Sequence, residues 1–314
     1  MNEIKNILSE AYRITSNSVC PMQGGWSALA FLVTDRTGRK FVLKVYEKSR
    51  FSTLKLTARI EEYMSVAKWL NSNTPLHNKI INPVKTAFGK YKYENEEAVF
   101  LLTNYIEGDD LTGKEPTPDQ VIELADIVAD LHLYGIDIPV DTSAIRETFE
   151  TEFCPFVRQI LYSTSELPVD LSDLLSCYST EIKQATDRLE IGAKTLRSRP
   201  REDVLCHTDI HGGNILSGKE GLVLIDWENL KQGPREADFF SLIKKPWFDL
   251  FWEGYKRKHP DYEIDEMNLS FYTLRRKLED ISEFIEQLCF DVMGDEARSA
   301  TLNLLREECG TLNQ

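Results

Sequence analysis

Apolar and polar residues alternate in two short runs near the start of the chain, Leu29 to Thr34 and Lys40 to Tyr46, on either side of Asp35-Arg-Thr-Gly38. Alternation around a turn tetrapeptide predicts a β-hairpin. Ala98 to Tyr105 is more uniformly apolar and reads as a buried strand. A second hairpin is predicted where Ile215-Leu-Ser217 and Leu222 to Ile225 flank the turn residues Gly218-Lys-Glu-Gly221. Elsewhere the apolar positions recur at helical spacing. They predict helices over about 1–13, 54–71, 119–134, 143–163, 170–198, 246–258, 264–288 and 293–309. Pro116 and Pro118 precede the third of these, and Leu124, Val128, Leu131 and His132 form its stripe. His132 in such a stripe is a core residue. Strands early and helices late make an α+β chain.

Composition narrows the picture modestly. A length of 314 residues fits two lobes or domains, and 42% hydrophobic residues can build a core. The net charge is −14, from 51 acidic and 37 basic residues. That argues against nucleic acid and anionic membrane as partners and is compatible with a cationic ligand. The six cysteines, at 20, 154, 177, 206, 289 and 309, form no Cys-x-x-Cys pair and are expected to be free thiols. The polar N-terminus carries no apolar signal core and no run reaches the length of a membrane span, so a cytoplasmic location is expected.

Chemistry concentrates in Cys206-His-Thr-Asp-Ile-His-Gly-Gly-Asn214 and the hairpin behind it, which leads to Asp226-Trp-Glu228. A hairpin returns the chain to its starting point, so Asn214 and Asp226 are predicted side by side at its open end. Asp209 lies on the loop before it. Two converging oxygen ligands suit Mg²⁺, which leaves sites for phosphate oxygens and water. A third carboxylate nearby can take the proton of a hydroxyl nucleophile. Two other readings use the same residues. His207, Asp209 and His211 alternate as zinc ligands of a hydrolase would, but the remaining histidines, His77, His132 and His259, supply no further cluster. Any single Asp or Asn here also serves as a turn residue. Upstream, Gly24 and Gly25 in Gln23-Gly-Gly-Trp-Ser27 form a loop whose N–H groups can cover phosphates. Alternation places Val42, Lys44 and Tyr46 on one strand face and Phe41, Leu43 and Val45 on the other.

The spacing matches the kinase pattern His-x-Asp-x-x-x-x-Asn followed by a metal-binding Asp. It departs from protein kinases at Thr208, at His211 and at Asp226-Trp-Glu. With Val204-Leu-Cys206, Ile225-Asp-Trp-Glu228 and Pro234-Arg-Glu-Ala-Asp238, the chain resembles the aminoglycoside phosphotransferase family, most closely its spectinomycin branch. The resemblance is strong over about 200–240 and consistent in layout elsewhere. It implies a bilobal protein-kinase-like fold: a nucleotide-binding lobe over 1–107, with an antiparallel sheet and a helix, and a mainly helical catalytic and substrate-binding lobe over 108–314. Helices inserted at about 141–200 would border the acceptor. It implies ATP and Mg²⁺, with Asp209 as catalytic base, Asn214 and Asp226 as metal ligands, and Lys44 on the phosphates. Glu61 or Glu62 would hold Lys44, the inward-facing Glu62 being slightly preferred. Val42 would lie near the adenine, and the backbone of Asn104 and Ile106 would read its edge. Asp238 would brace the catalytic loop. Glu279, Asp280 and Glu283 are candidates for binding substrate ammonium groups. The implied activity is phosphorylation of a hydroxyl on an aminoglycoside or aminocyclitol such as spectinomycin, as in antibiotic resistance. The alternatives are a metabolic kinase for choline, homoserine, a sugar or a macrolide, and a catalytically silent nucleotide-binding protein.

Overall fold

A computed structural model describes residues 2–22 and 28–312. In chain order its elements begin with α1 (Asn2–Tyr12), β1 (Ser16–Met22), β2 (Leu29–Asp35), β3 (Lys40–Glu47), α2 (Thr53–Thr57) and α3 (Ile60–Asn73). There follow β4 (Lys92–Glu94), β5 (Ala98–Asn104), β6 (Gly108–Asp110), α4 (Pro118–Leu131), α5 (Phe153–Tyr162) and α6 (Val169–Arg197). Then come β7 (Val204–Cys206), β8 (Ile215–Gly218), β9 (Gly221–Leu224), β10 (Lys231–Gly233), α7 (Glu236–Phe239), α8 (Phe248–Tyr255), α9 (Glu266–Phe290) and α10 (Asp295–Gly310).

The strand and helix expectations hold in outline, with two interruptions. The helix expected over 54–71 is divided, because Arg59 leaves the helical region at φ −111° and ψ 20°. The helix expected from 143 begins only at Phe153. Before it, Phe149 adopts a left-handed backbone with φ 52°, its N–H bonded to the Glu147 side chain at 2.6 Å. A bulky residue at positive φ stops helix propagation.

Packing divides the chain into two compact units, Met1–Arg146 with Glu202–Glu263, and Glu147–Arg201 with Ile264–Gln314. The first contains an antiparallel five-stranded sheet in the order β1-β2-β3-β5-β4. The predicted hairpin is present, with Phe31 opposite Leu43 and Leu32 opposite Val42. Phe41, Leu43 and Val45 turn to one face and meet Ile7, Leu8 and Ala11 of α1 in the core. That burial is the driving term, at roughly 1.5–3 kcal/mol per large apolar side chain. In separate small sheets, β8 and β9 form the second hairpin, joined by β6, and β7 pairs with β10. Helix α4 starts at a capping box, in which Thr117 and Gln120 satisfy each other's backbone N–H groups.

The second unit is helical. Cys154, Val157 and Leu161 form the buried stripe of α5. Leu171, Leu174, Leu175, Ile182 and Leu189 do the same for α6, and Leu278, Ile281, Ile285 and Leu288 for α9. Arg275 pairs with the buried carboxylate of Glu147 at 2.9 Å. No described helix is long and apolar enough to cross a membrane.

Candidate active site

The loop after β7 is held from below by Asp238 of α7. One oxygen of Asp238 accepts the N–H of Thr208 at 2.5 Å, and the other accepts the N–H of His207 at 3.1 Å. The second oxygen also meets His132 Nε2 at 3.0 Å, and His132 Nδ1 meets the Tyr255 hydroxyl at 2.8 Å. An ionised carboxylate only accepts, so Nε2 carries the proton and Nδ1 accepts from Tyr255. Burial lowers the His132 pKa and keeps the ring neutral. This clamp holds Thr208 at φ 67°, a conformation that a β-branched residue adopts only under constraint. His132 is a core residue, as its stripe predicts, and Asp238 braces the loop.

Gly212 and Gly213 then allow a tight approach. A Cβ on Gly212 would stand 2.6 Å from the Leu111 carbonyl oxygen, so no side chain fits without a backbone shift. Asn214 ends this turn. Its amide donates to both the carbonyl and the carboxylate of Asp209, each at 3.0 Å. Both hydrogens are thereby used, and Oδ1 is the atom left for a cation. Across the hairpin the Ile225 N–H bonds the Asn214 carbonyl at 3.0 Å. Asp226, the next residue, takes φ 64° and turns its carboxylate to Lys44. The oxygen-only set of Asn214 Oδ1 and the Asp226 carboxylate fits Mg²⁺.

Lys44 stands in the middle of the sheet, with Ala30 and Leu101 as its cross-strand neighbours. Its Nζ lies 2.8 Å from Asp226 Oδ1 and 2.7 Å from Glu228 Oε1. The Tyr46 hydroxyl donates to the same Glu228 oxygen. Burial alone would lower the Lys44 pKa, but the two carboxylates reverse this and hold the ammonium charged. Burial would likewise raise Asp226, and Lys44 outweighs it, leaving the carboxyl below its ordinary value. Glu228 lies above its ordinary range, through burial first, with the neighbouring Asp226 adding to it.

The expected pairing of Lys44 with Glu61 or Glu62 is not the arrangement found. Glu61 accepts the N–H groups of Tyr91 and Lys92 at 2.9 and 3.0 Å. Glu62 has a buried Oε2 without a hydrogen-bond partner among the described residues. Glu228 takes the place at Lys44, because the left-handed turn at Asp226 and the turn that follows bring both carboxylates to the lysine. Trp227 points the other way, fully buried, with its indole N–H on the Leu224 carbonyl. Strand alternation places Tyr46 on the face of Lys44, whereas the left-handed Asp226 that brings Glu228 there has no periodic signature in the sequence.

Val42 lies two residues from Lys44 on the same strand face and opposite Thr103. The Asn104 N–H is taken by the Asn82 carbonyl at 3.0 Å. Ile106 sits in the link between β5 and β6. Gly24 and Gly25 lie outside the described residues. The zinc arrangement is not formed. His207 is buried, with Nε2 on the Ile225 carbonyl at 2.9 Å, and His211 Nδ1 accepts from the Gly213 N–H at 3.1 Å. Among the described residues one trio of potential ligands converges, His132, Cys206 and Asp238. Burial pushes the Cys206 thiol well up, and His132 and Asp238 are already bonded to each other, so it is a packed network. The expected ammonium site is also largely spent. Glu279 and Asp280 pair with Arg275 and Arg276 of their own helix at 2.8 and 3.1 Å, and Glu283 accepts from Gln287 at 3.3 Å.

The family pattern described as phosphotransferase enzyme family (APH) matches residues 18–265. No curated protein sequence matches the chain. A spectinomycin phosphotransferase solved with ADP and spectinomycin superposes with a TM-score of 0.76 at 20% identity, covering 99% of this chain and 98% of that one. A microcompartment-associated aminopropanol kinase gives 0.67 at 16% identity, over 99% and 96%. An amicoumacin kinase in complex with AMP-PNP and Ca²⁺ gives 0.64 at 14%, over 98% and 92%. These likenesses show the kinase-like fold. With the family match extending over most of its length, the chain belongs to the phosphotransferase enzyme family.

Proposed function

We propose that the protein transfers the γ-phosphoryl group of ATP to a hydroxyl of a small molecule. The observation that carries this is the joined geometry of four side chains. Asn214 donates its amide to Asp209, its carbonyl accepts the N–H of Ile225 next to Asp226, and Lys44 reaches Asp226 from the sheet. In this reading Asp209 orients the acceptor hydroxyl and takes its proton. Lys44, held charged, engages the phosphates. Val42 and the chain from Asn104 to Ile106 border the adenine, with Gly24 and Gly25 as phosphate cover. Asn214 and Asp226 would hold Mg²⁺, which when bound neutralises phosphate charge. Residues 1–107 would serve the nucleotide and 108–314 the acceptor, in the cytoplasm. Catalysis is then mainly positioning and charge neutralisation.

The acceptor favoured by the family likeness and the acidic chain is an aminocyclitol such as spectinomycin, whose phosphorylation would inactivate it. A second reading, a kinase for a metabolic hydroxyl compound, draws support from the pocket described below. A coupled ATP-consumption assay over aminocyclitols, aminoglycosides, choline, homoserine, sugars and macrolides tests the proposal. Turnover on at least one acceptor is expected, with Asp209→Ala losing about 10²–10⁴ in rate while ATP still binds. Full turnover in that variant would overturn the assignment of Asp209. ATP binding with no turnover on any acceptor would favour a silent nucleotide-binding protein.

A further inference from the structure

The loop that carries Asp209 also walls a pocket of about 420 Å³ within the first unit, in the range that small-molecule sites occupy. Leu242 and Trp247 are among its apolar lining, and its lysine and carboxylate lining is Lys114, Lys245 and Glu115, with His211 beside them. Two lysines thus line the pocket with one carboxylate, while Asp110 acts on Lys114 and Asp209 stands beside His211 just outside the lining. Lys114 Nζ donates only to a backbone carbonyl, that of Asp110 at 2.9 Å, and forms no ion pair among the described residues. Lys245 is exposed and likewise has no ion-pair partner among them.

His211 connects the pocket to the reacting side of the loop. Its Nδ1 accepts the Gly213 N–H, so in the neutral ring the proton sits on Nε2. That nitrogen lies 3.7 Å from Asp209 Oδ2. A molecule seated in the pocket against His211 is thus within one side chain of the proposed base.

We propose that this pocket is the part of the acceptor site that takes an anionic substituent, a carboxylate or phosphate, between Lys114 and Lys245, leaving the acceptor's hydroxyl beside Asp209. The inference rests on the phosphotransferase reading above and takes its second form, the metabolic kinase, over the aminocyclitol one: the acceptor is a hydroxy acid, a zwitterionic amino alcohol acid or a phosphorylated alcohol. A bare polycation would meet two ammonium groups in this pocket.

Matched acceptors test it. ATP consumption is measured with 4-hydroxybutyrate against butane-1,4-diol, with homoserine against its methyl ester, with glycerol 3-phosphate against glycerol, and with spectinomycin. The acidic member of at least one pair is expected to be turned over about ten-fold or more better in kcat/KM than its neutral partner, a ratio typical of one charge-assisted contact. In Lys114→Ala/Lys245→Ala that ratio should collapse toward one, chiefly through KM. In Lys245→Glu it should invert. ATP-induced thermal stabilisation shows that each variant is folded. Which pair responds separates carboxylate from phosphate. Preferred turnover of neutral or cationic acceptors, or acid preference unchanged in the double variant, overturns the inference and leaves the kinase reading standing. If ATP binds and no acceptor at all is turned over, the underlying reading fails instead.

Discussion

Glu228 Oε1 receives two donors at once, the Lys44 ammonium and the Tyr46 hydroxyl. A side chain with a raised pKa beside a charged lysine needs both to stay in place, and Tyr46 is the neutral half of that grip. Tyr46→Phe removes one donor from a buried acceptor. A hydrogen bond to a charged group contributes about 1.5–3 kcal/mol. We expect urea unfolding to show a loss of about 1–2 kcal/mol, and the KM for ATP to rise more than kcat falls, since Lys44 loses its alignment. An unchanged unfolding midpoint together with an unchanged KM would show that Lys44 needs no help from Tyr46. Single residues were unevenly legible in the sequence. Asp209, Asn214 and Asp226 stood out because a hairpin of fixed length brings them together, and local geometry is written locally. The partner of Lys44 did not, because Glu61 is drawn off by backbone N–H groups about thirty residues away, a tertiary event with no periodic signature.

Elements were legible where one face is apolar and obscure where pairing is short. The β2–β3 and β8–β9 hairpins carry alternation and turn residues, so their registers follow from the chain itself. The three-residue β7 and β10 are too short to show a period, and they pair across the long segment that carries the β8–β9 hairpin. In α9 the charged stripe read as a candidate ammonium site hides a buried group. Burial raises the Asp280 carboxyl to about 6 against the pull of Arg276. The folded state therefore holds a proton at this residue between its ordinary value near 4 and about 6, where the unfolded chain does not. The stability contributed by this group is full below about pH 4 and is lost as pH rises through about 6. Asp280→Asn keeps a neutral side chain throughout. Relative to the unmodified protein its stability should rise between pH 4 and 7, by up to about 3 kcal/mol less whatever the lost Arg276 contact contributed. Denaturant midpoints at pH 4, 5, 6 and 7 read the difference. Parallel pH curves for the two proteins would show that Asp280 titrates normally.

The molecule as a whole combines a sheet that offers Lys44 with a loop and hairpin that offer Asp209, Asn214 and Asp226, all in the first compact unit. A ligand touching both sets should stabilise that unit by mass action, about 2.7 kcal/mol at a hundred-fold excess over Kd. Adding ATP with Mg²⁺ is therefore expected to raise its melting temperature by about 5 °C or more. Lys44→Ala should lose most of that rise, and an equal rise in the variant would place the nucleotide elsewhere. The α+β layout could be read from the order of alternating and helical segments. The division into two units could not, because the second unit is assembled from stretches separated by more than sixty residues.

The strand order also bears on how the protein behaves in a crowded solution. A five-stranded antiparallel sheet that does not close has two open edges, each a template for another chain. Here one edge is β4, only three residues long. The other is β1, in which Pro21 pairs opposite Phe31 and has no N–H to present outward. Neither edge offers an unbroken ladder of donors, so strand-to-strand joining of copies is blunted where the sheet is most exposed. Replacing Pro21 would add one hydrogen-bond donor to the molecule and, with it, a place for unwanted fibre growth to begin.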